Sequence, residues 1–300
     1  MRKFLLYTFL FWGGVVVVDV LFGMSFDKLN AIANGGGATN KMNTLCMRDT
    51  HDILIMGSSR AHHHYIPREI EDSLKMECYN AGFDGMGVIL HYGILKLILK
   101  RYHPKLIIYD VEPTYDIHTN DNVRYLSLQK PYFRDEQIAD IFKKVSPVEY
   151  YKVYSGFYRY NSTCFPILMG AFHSEAQEPE KGFIPLLGEL QDSAAVKNLP
   201  QSETDKTKMY YLSCFIHDAK EAGVPLILIA SPHYGSGGMR EFEEVNCLCK
   251  DNHVPFLNYY SDSFYMSHSR LFNDPSHLNR KGAEIFTRQI VSIIKNRIIK

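Results

Sequence analysis

Several things are scarce in this chain of 300 residues, and each scarcity closes off a class of function. Net charge is the first: 33 Lys and Arg balance 33 Asp and Glu, with no basic run beyond the termini. Phosphate backbones are held by clustered cations, so nucleic acid is excluded as a partner. Cysteine is the second. Cys46, Cys78, Cys164, Cys214, Cys247 and Cys249 are too few and too scattered for a disulfide scaffold. Cys247 and Cys249 fall on opposite sides of a predicted helix, which weakens a C-x-C metal reading, and Cys78 reads as core. Phosphate-cradling loops are the third. There is no P-loop, and residues 80–87 do not spell G-x-G-x-x-G, so no cofactor is implied. No tandem repeat occurs.

Near its start the chain has an uncharged and mostly apolar run. Arg2 and Lys3 precede an uncharged run over residues 4–18, and apolar character resumes at Val20 after Asp19. Residues 1–24 therefore predict an N-terminal membrane anchor, with the basic end cytoplasmic and the rest on the periplasmic or extracellular side. A cleaved signal peptide is the rival reading. No clear small-x-small site follows, which favours an uncleaved anchor. Residues 25–49 include Asn34-Gly35-Gly36-Gly37-Ala38 and read as a tether, so that the folded domain covers residues 50–300.

What the chain does have is an alternation of apolar strands and amphipathic helices. Strands are predicted over 53–56, 76–80, 105–111, 224–230 and 255–259. Helices are predicted from Pro67, over 88–99, 206–222 and 240–251, and through Ala283, Phe286, Ile290 and Ile294. Near-continuous apolar strands alternating with helices argue an α/β fold, a three-layer α/β/α flavodoxin-like parallel sheet of about five strands. Ligands of such sheets bind beyond the carboxyl ends of the strands, where Ser59, Gly85 and Ser231-Pro232-His233 all fall.

Three stretches carry chemistry. Ile53 to Met56 run straight into Gly57-Ser58-Ser59, which sets a serine hydroxyl at a strand end, beside the partial positive charge of a helix N-terminus. By itself this is also an ordinary capped turn. Near the C-terminus, Asp274 and His277 stand three apart before an amphipathic helix; a carboxylate there can hold one imidazole nitrogen while the other faces a serine. Between them, residues 80–87 (Asn-Ala-Gly-Phe-Asp-Gly-Met-Gly) offer a glycine-rich turn whose N–H groups can meet an oxyanion.

Taken together, G-S-S, N-x-G-x-x-G and D-x-x-H-L-N resemble blocks I, II and V of the SGNH (GDSL-type) hydrolases. G-S-S-R followed by histidines resembles the membrane-anchored cell-envelope branch of that superfamily. The resemblance spans residues 52–102 and 224–294 in the right order. It implies Ser59 as nucleophile, His277 as base, Asp274 as the acid orienting it, and Gly85 as an oxyanion donor. Ser58 replaces the acidic residue of G-D-S. Block III, G-x-N-D, does not follow its strand, which ends Tyr109-Asp110-Val111-Glu112-Pro113; Asn120, in His118-Thr119-Asn120-Asp121, is the nearest likeness for the third donor.

His62-His63-His64 invites a metal reading, but three consecutive helical histidines point about 100° apart and cannot all face one ion. A substrate-lining or partly exposed helix is preferred, with no metal. His233 is a pocket candidate or a satisfied loop histidine. Residues 112–200 break the strand–helix rhythm as a long aromatic insertion with short helices over 135–144 and 148–157, ending in a polar loop over 176–201. Its rings read mainly as the insertion's own core. Tyr154 and Tyr158 are the candidates for lining a glycan site. The expected function is a serine esterase or O-acyltransferase acting on an acylated glycan or another ester. The alternative is a non-catalytic envelope-assembly or glycan-binding protein that keeps the fold.

Overall fold

The computed structural model describes residues 1–33, 37–172, 179–191, 203–235 and 241–297. The chain divides into two compact units, Met1–Arg48 with Asn122–Gln177 and Asp49–Asp121 with Glu178–Lys300. In chain order, the first unit begins with α1 (Arg2–Ile32) and α2 (Ala38–Met47). The second follows with β1 (Ile53–Gly57), α3 (Ser59–His64), α4 (Pro67–Leu74), β2 (Cys78–Gly82), α5 (Val88–Leu99) and β3 (Leu106–Asp110). The chain returns to the first unit for α6 (Glu136–Val145), α7 (Pro147–Lys152), α8 (Gly156–Tyr160) and α9 (Cys164–Phe172). It completes the second with α10 (Lys206–Glu221), β4 (Leu226–Ala230), α11 (Glu243–Asn252), β5 (Phe256–Asn258), α12 (Ser263–Met266), β6 (Phe272–Asp274), β7 (His277–Leu278) and α13 (Arg280–Arg297).

The second unit is built on a five-stranded sheet in the order β2-β1-β3-β4-β5, and every pairing in it is parallel. Parallel strands need both faces covered, which is why β1, β2, β3 and β4 are buried throughout. Alternate residues serve alternate faces. Ile53, Ile55, Ile108 and Ile229 share one core cluster with Phe286, Ile290 and Ile294 of α13, beside which α3 and α4 pack. Tyr109, next to Ile108, turns the other way and meets Phe215 of α10 and His91 of α5. The result is the three-layer α/β/α arrangement that the alternation of elements predicts. Burying each such aliphatic or aromatic side chain contributes roughly 1.5–3 kcal/mol.

β2 lies two residues later than predicted. Its register pairs Ile53 with Cys78 and Gly57 with Gly82, so Asn80-Ala81-Gly82, which read as a turn, completes the ladder. Gly82 is there for steric reasons, since a Cβ on it would lie 2.4 Å from His62 N of α3, while the buried Asn80 amide donates to Ala61 O and Tyr65 O at 2.7 and 3.0 Å.

In the first unit, α1 continues through Ile32, and α2 stands where a tether was expected. The end of α1 has side-chain donors that a free tether would lack. Asn43 of α2 donates to Asn30 O and, at 2.8 Å, to Ala33 O; Arg48 reaches Ala31 O and Ala33 O at 2.8 Å. The helix expected over 148–157 is two, α7 and α8, broken where Ser155 turns to cap Tyr158 N. Half of the polar loop expected over 176–201, residues 176–178 and 192–201, falls outside the described residues.

Candidate active site

The site forms where β1 stops. Gly57 has φ +138°, a region L side chains rarely adopt, and a Cβ there would lie 2.5 Å from Asp110 O. The chain turns sharply at that point. Ser58 is left buried, and half-buried Ser59 becomes the first residue of α3.

Ser59 Oγ lies 2.8 Å from His277 Nε2. On the far side of the same ring, Nδ1 lies 2.9 Å from Asp274 Oδ1 and 3.0 Å from Oδ2. An ionised carboxylate only accepts, so Nδ1 carries the proton and Nε2 presents its lone pair to the serine. The D-x-x-H spacing has a specific origin. Asp274 and His277 are paired residues of the antiparallel β6–β7 hairpin, with Pro275-Ser276 at its tip. Asp274 Oδ1 also accepts the Ser276 and His277 backbone N–H groups at 2.9 and 3.1 Å, so one side chain shapes the hairpin and orients the imidazole. Burial pushes the Asp274 carboxyl up. The hydrogen bond and charge of His277, then Asn273 and the Ser276 N–H, outweigh it and hold its pKa at about 2.

Each of the three consecutive histidines has a different task. His64 is fully buried behind the site: Nδ1 lies 2.9 Å from Ser231 Oγ, and Nε2 accepts the Leu278 N–H at 2.9 Å. Burial, and then the nearby charges of His277 and Arg60, depress its pKa well below 6.5, so it stays neutral and can accept. His62 Nδ1 meets Asp84 Oδ1 at 2.7 Å, and His63 Nε2 lies 3.4 Å from the same oxygen, with His63 Nδ1 2.7 Å from Ile184 O. Among the described residues, His62, His63 and Asp84 are a set with metal-ligand spacing. All three histidines indeed never face one point, but two of them share a carboxylate. Burial lowers the His63 pKa, yet the Asp84 and Ile184 hydrogen bonds outweigh it and raise it overall, so a proton satisfies this contact.

Further in, Arg60 is 1% exposed, 3.4 Å from Glu112 Oε1 and 4.8 Å over the Tyr260 ring. His233 stacks on that ring at 4.8 Å, and burial together with the Arg60 charge depresses its pKa to about 3. His233 is therefore neutral, and near enough to Asp274 and His277 for both charges to act on it. Sequence reasoning gave Arg60 no role and read His64 only with its neighbours, as part of a substrate-lining or partly exposed helix, whereas it is fully buried. The adjacent G-S-S turn was the available signal, because α3 is so short that all of its residues crowd the sheet edge.

Gly85 occupies the third position of a turn closed by Met86 N to Phe83 O at 3.1 Å, with φ +68°. Phe83 N in turn donates to Gly57 O at 3.0 Å, which ties that turn to the end of β1. Asn120 is engaged locally: its amide donates to Thr114 O at 2.5 Å. Where block III would stand, residues Pro113–Ile117 form a single wide π-helical turn around fully buried Asp116, which accepts Val88 N, Glu112 N and Tyr109 OH at 2.7–2.8 Å. Tyr154 and Tyr158 lie in the first unit. Tyr154 OH bonds Tyr150 OH at 2.9 Å, and Tyr158 OH donates to Glu149.

No family model and no curated protein sequence matches the chain. Among solved structures it is similar to the psychrotrophic esterase EstA from Pseudoalteromonas sp. (13% identity, 83% of this chain and 98% of that one covered, TM-score 0.44). It is similar also to the acetyl xylan esterase AlAXEase (11% identity, 81% and 99% covered, TM-score 0.44). A third is AlinE4, a SGNH-hydrolase family esterase (14% identity, 84% and 97% covered, TM-score 0.34). At such identities and TM-scores, the atoms of the site carry the functional case.

Proposed function

We propose that this chain is an SGNH-type serine hydrolase, an esterase or O-acyltransferase, held at a membrane by α1 with its second unit on the non-cytoplasmic side. The observation that carries the chemistry is the unbroken relay from Ser59 Oγ through His277 to Asp274, at 2.8 and 2.9 Å. Ser59 Oγ attacks the ester carbonyl carbon, and its proton passes to His277 Nε2. Asp274, with its pKa held at about 2, stays ionised and stabilises the imidazolium. The N–H groups of Ser59 and Gly85 receive the oxyanion; losing one such donor costs roughly 3 kcal/mol of transition-state stabilisation. Collapse breaks the bond to the leaving alcohol, which takes the proton from His277. Water then releases the acid, or a second hydroxyl accepts the acyl group, with His277 again as base.

Acyl esters of cell-envelope glycans are the substrate class that the resemblance to the envelope branch supports. The test is turnover of a small activated acetate ester by the purified full-length chain. Ser59→Ala and His277→Ala should fall to the uncatalysed background, and Asp274→Asn by roughly 10²–10⁴-fold. Full activity in Ser59→Ala would defeat the reading. A folded wild-type chain with no turnover would favour a non-catalytic glycan-binding role.

A further inference from the structure

The helix α9 is apolar on every side. Ile167 and Gly170 are buried, and Ile167, with Cys164 and Ala171, packs with Phe22, Phe26 and Leu29 of α1 and with Ala33 just after it. The opposite face carries Phe165, Leu168, Met169 and Phe172 at i, i+3, i+4 and i+7, of which Phe165 and Phe172 are each 69% exposed. A short helix with no polar face is not stable in water, and so contiguous an apolar patch calls for a cover.

The way α9 and α8 are attached says what covers them. α1 contains a window of mean hydropathy 2.1, none of it buried, long and apolar enough to cross a bilayer. At the end of its uncharged run, Asp19 accepts Ser155 Oγ, Gly156 N and Phe157 N at 2.8, 3.0 and 2.8 Å, and so caps the start of α8. The backbones touch there: a Cβ on Gly156 would lie 2.4 Å from Asp19 O. The Phe22 and Phe157 rings sit 4.7 Å apart. From Phe22 to Ala33, the stretch flanking α9, α1 rises only about 16 Å. The apolar face of α9 therefore begins where α1 would leave the hydrocarbon. Leaving out Arg2 and Lys3 at the other end of α1, residues 19–48 and 122–172 carry ten Lys and Arg against six Asp and Glu in a chain that is neutral as a whole. That balance suits anionic headgroups.

We propose that the outer face of α9, with Phe157, lies in the headgroup–acyl boundary of the bilayer that α1 enters. The first unit is then a membrane-seated module of which α1 is an integral part, because cleavage after residue 24 would remove Asp19, Phe22 and Gly23 from its interior. The proposal rests on the anchor reading of α1, and the test separates the two.

Trp12 is the chain's only tryptophan, so it reports on α1 in the wild type. In a Trp12→Phe background, Phe165→Trp and Phe172→Trp report on α9. Each full-length protein is reconstituted into phosphatidylcholine–phosphatidylglycerol vesicles containing lipids brominated at shallow or deep acyl positions. The expected result is quenching of Trp12 by bromolipid, and blue-shifted emission from both α9 reporters, quenched more by shallow than by deep bromines. Quenching of Trp12 with both α9 reporters unquenched and emitting as in water would overturn the proposal while leaving the anchor. An unquenched Trp12 would remove both.

Discussion

His64 makes no contact that chemistry requires, yet it holds the residue after the base. Its neutral ring accepts the Leu278 N–H, one bond along the chain from His277, while its other nitrogen reaches Ser231 at the end of β4. We expect it to be a positioning residue. His64→Ala leaves a buried N–H unpaired, at a stability cost of roughly 1–3 kcal/mol. It should lower kcat on the order of 10²-fold with KM little changed, because His277 drifts while the substrate's own contacts remain. His64→Gln, whose side-chain oxygen can accept the same N–H, should recover part of the loss. A variant with altered KM and normal kcat would argue against this role.

The neighbouring contact gives a pH signature. His63 has a folded pKa raised above 6.5, so its contribution is fully present below that value and fades as pH rises through the folded pKa. Burial pushes Asp84 up, but His62 and His63 together pull it far below 3.8, so its contribution is present above 3.8 and fades only in strong acid. The two overlap from about pH 4 to somewhat above 6.5. Asp84→Asn should therefore lower Tm at pH 6 and change it little at pH 9. The drop should be small, since the Asp84 side chain is 59% exposed and such pairs contribute about 1 kcal/mol or less. An equal drop at both pH values would show that the charges are not responsible.

Among the elements, the β1–α3 junction fixes the position of Ser59. Gly82→Ala would set a methyl against the His62 backbone. It should abolish turnover while leaving far-UV circular dichroism near that of the wild type, because α3 must shift as a body; retained activity would show that Ser59 tolerates the shift. In the first unit, Asp19→Ala removes the cap of α8 and should cost about 1 kcal/mol, read as faster proteolysis of residues 122–172 in detergent. Unchanged proteolysis would mean the cap is dispensable.

These elements also show why some of the site was legible in the sequence and some was not. An apolar strand ending in Gly-Ser-Ser is a local signal, and so is a carboxylate three residues before a histidine. The sequence pattern could not reveal that Asp274 and His277 face each other across a hairpin, since strands of three and two residues leave no period to read. Asp116 was equally hidden: its partners Val88 and Tyr109 lie 28 and 7 residues away, and only the fold brings them together. α2 was missed because glycine and asparagine around it read as linker, while the carbonyls it satisfies belong to α1.

Over the whole molecule, the proposed function joins ester chemistry at the Ser59–His277–Asp274 relay to a chain whose first helix is long and apolar enough to cross a membrane. All of this depends on Ser59 being a nucleophile. Ser58 is its only adjacent competitor; it is fully buried and its hydroxyl has no partner, whereas Ser59 is half-buried and bonded to His277. Treating the folded full-length chain with a fluorophosphonate and mapping the adduct by mass spectrometry tests this most directly. The account predicts one adduct, on Ser59, absent in Ser59→Ala, slowed in Asp274→Asn and retained in Ser58→Ala. An adduct on Ser58, or none on folded protein, would contradict it.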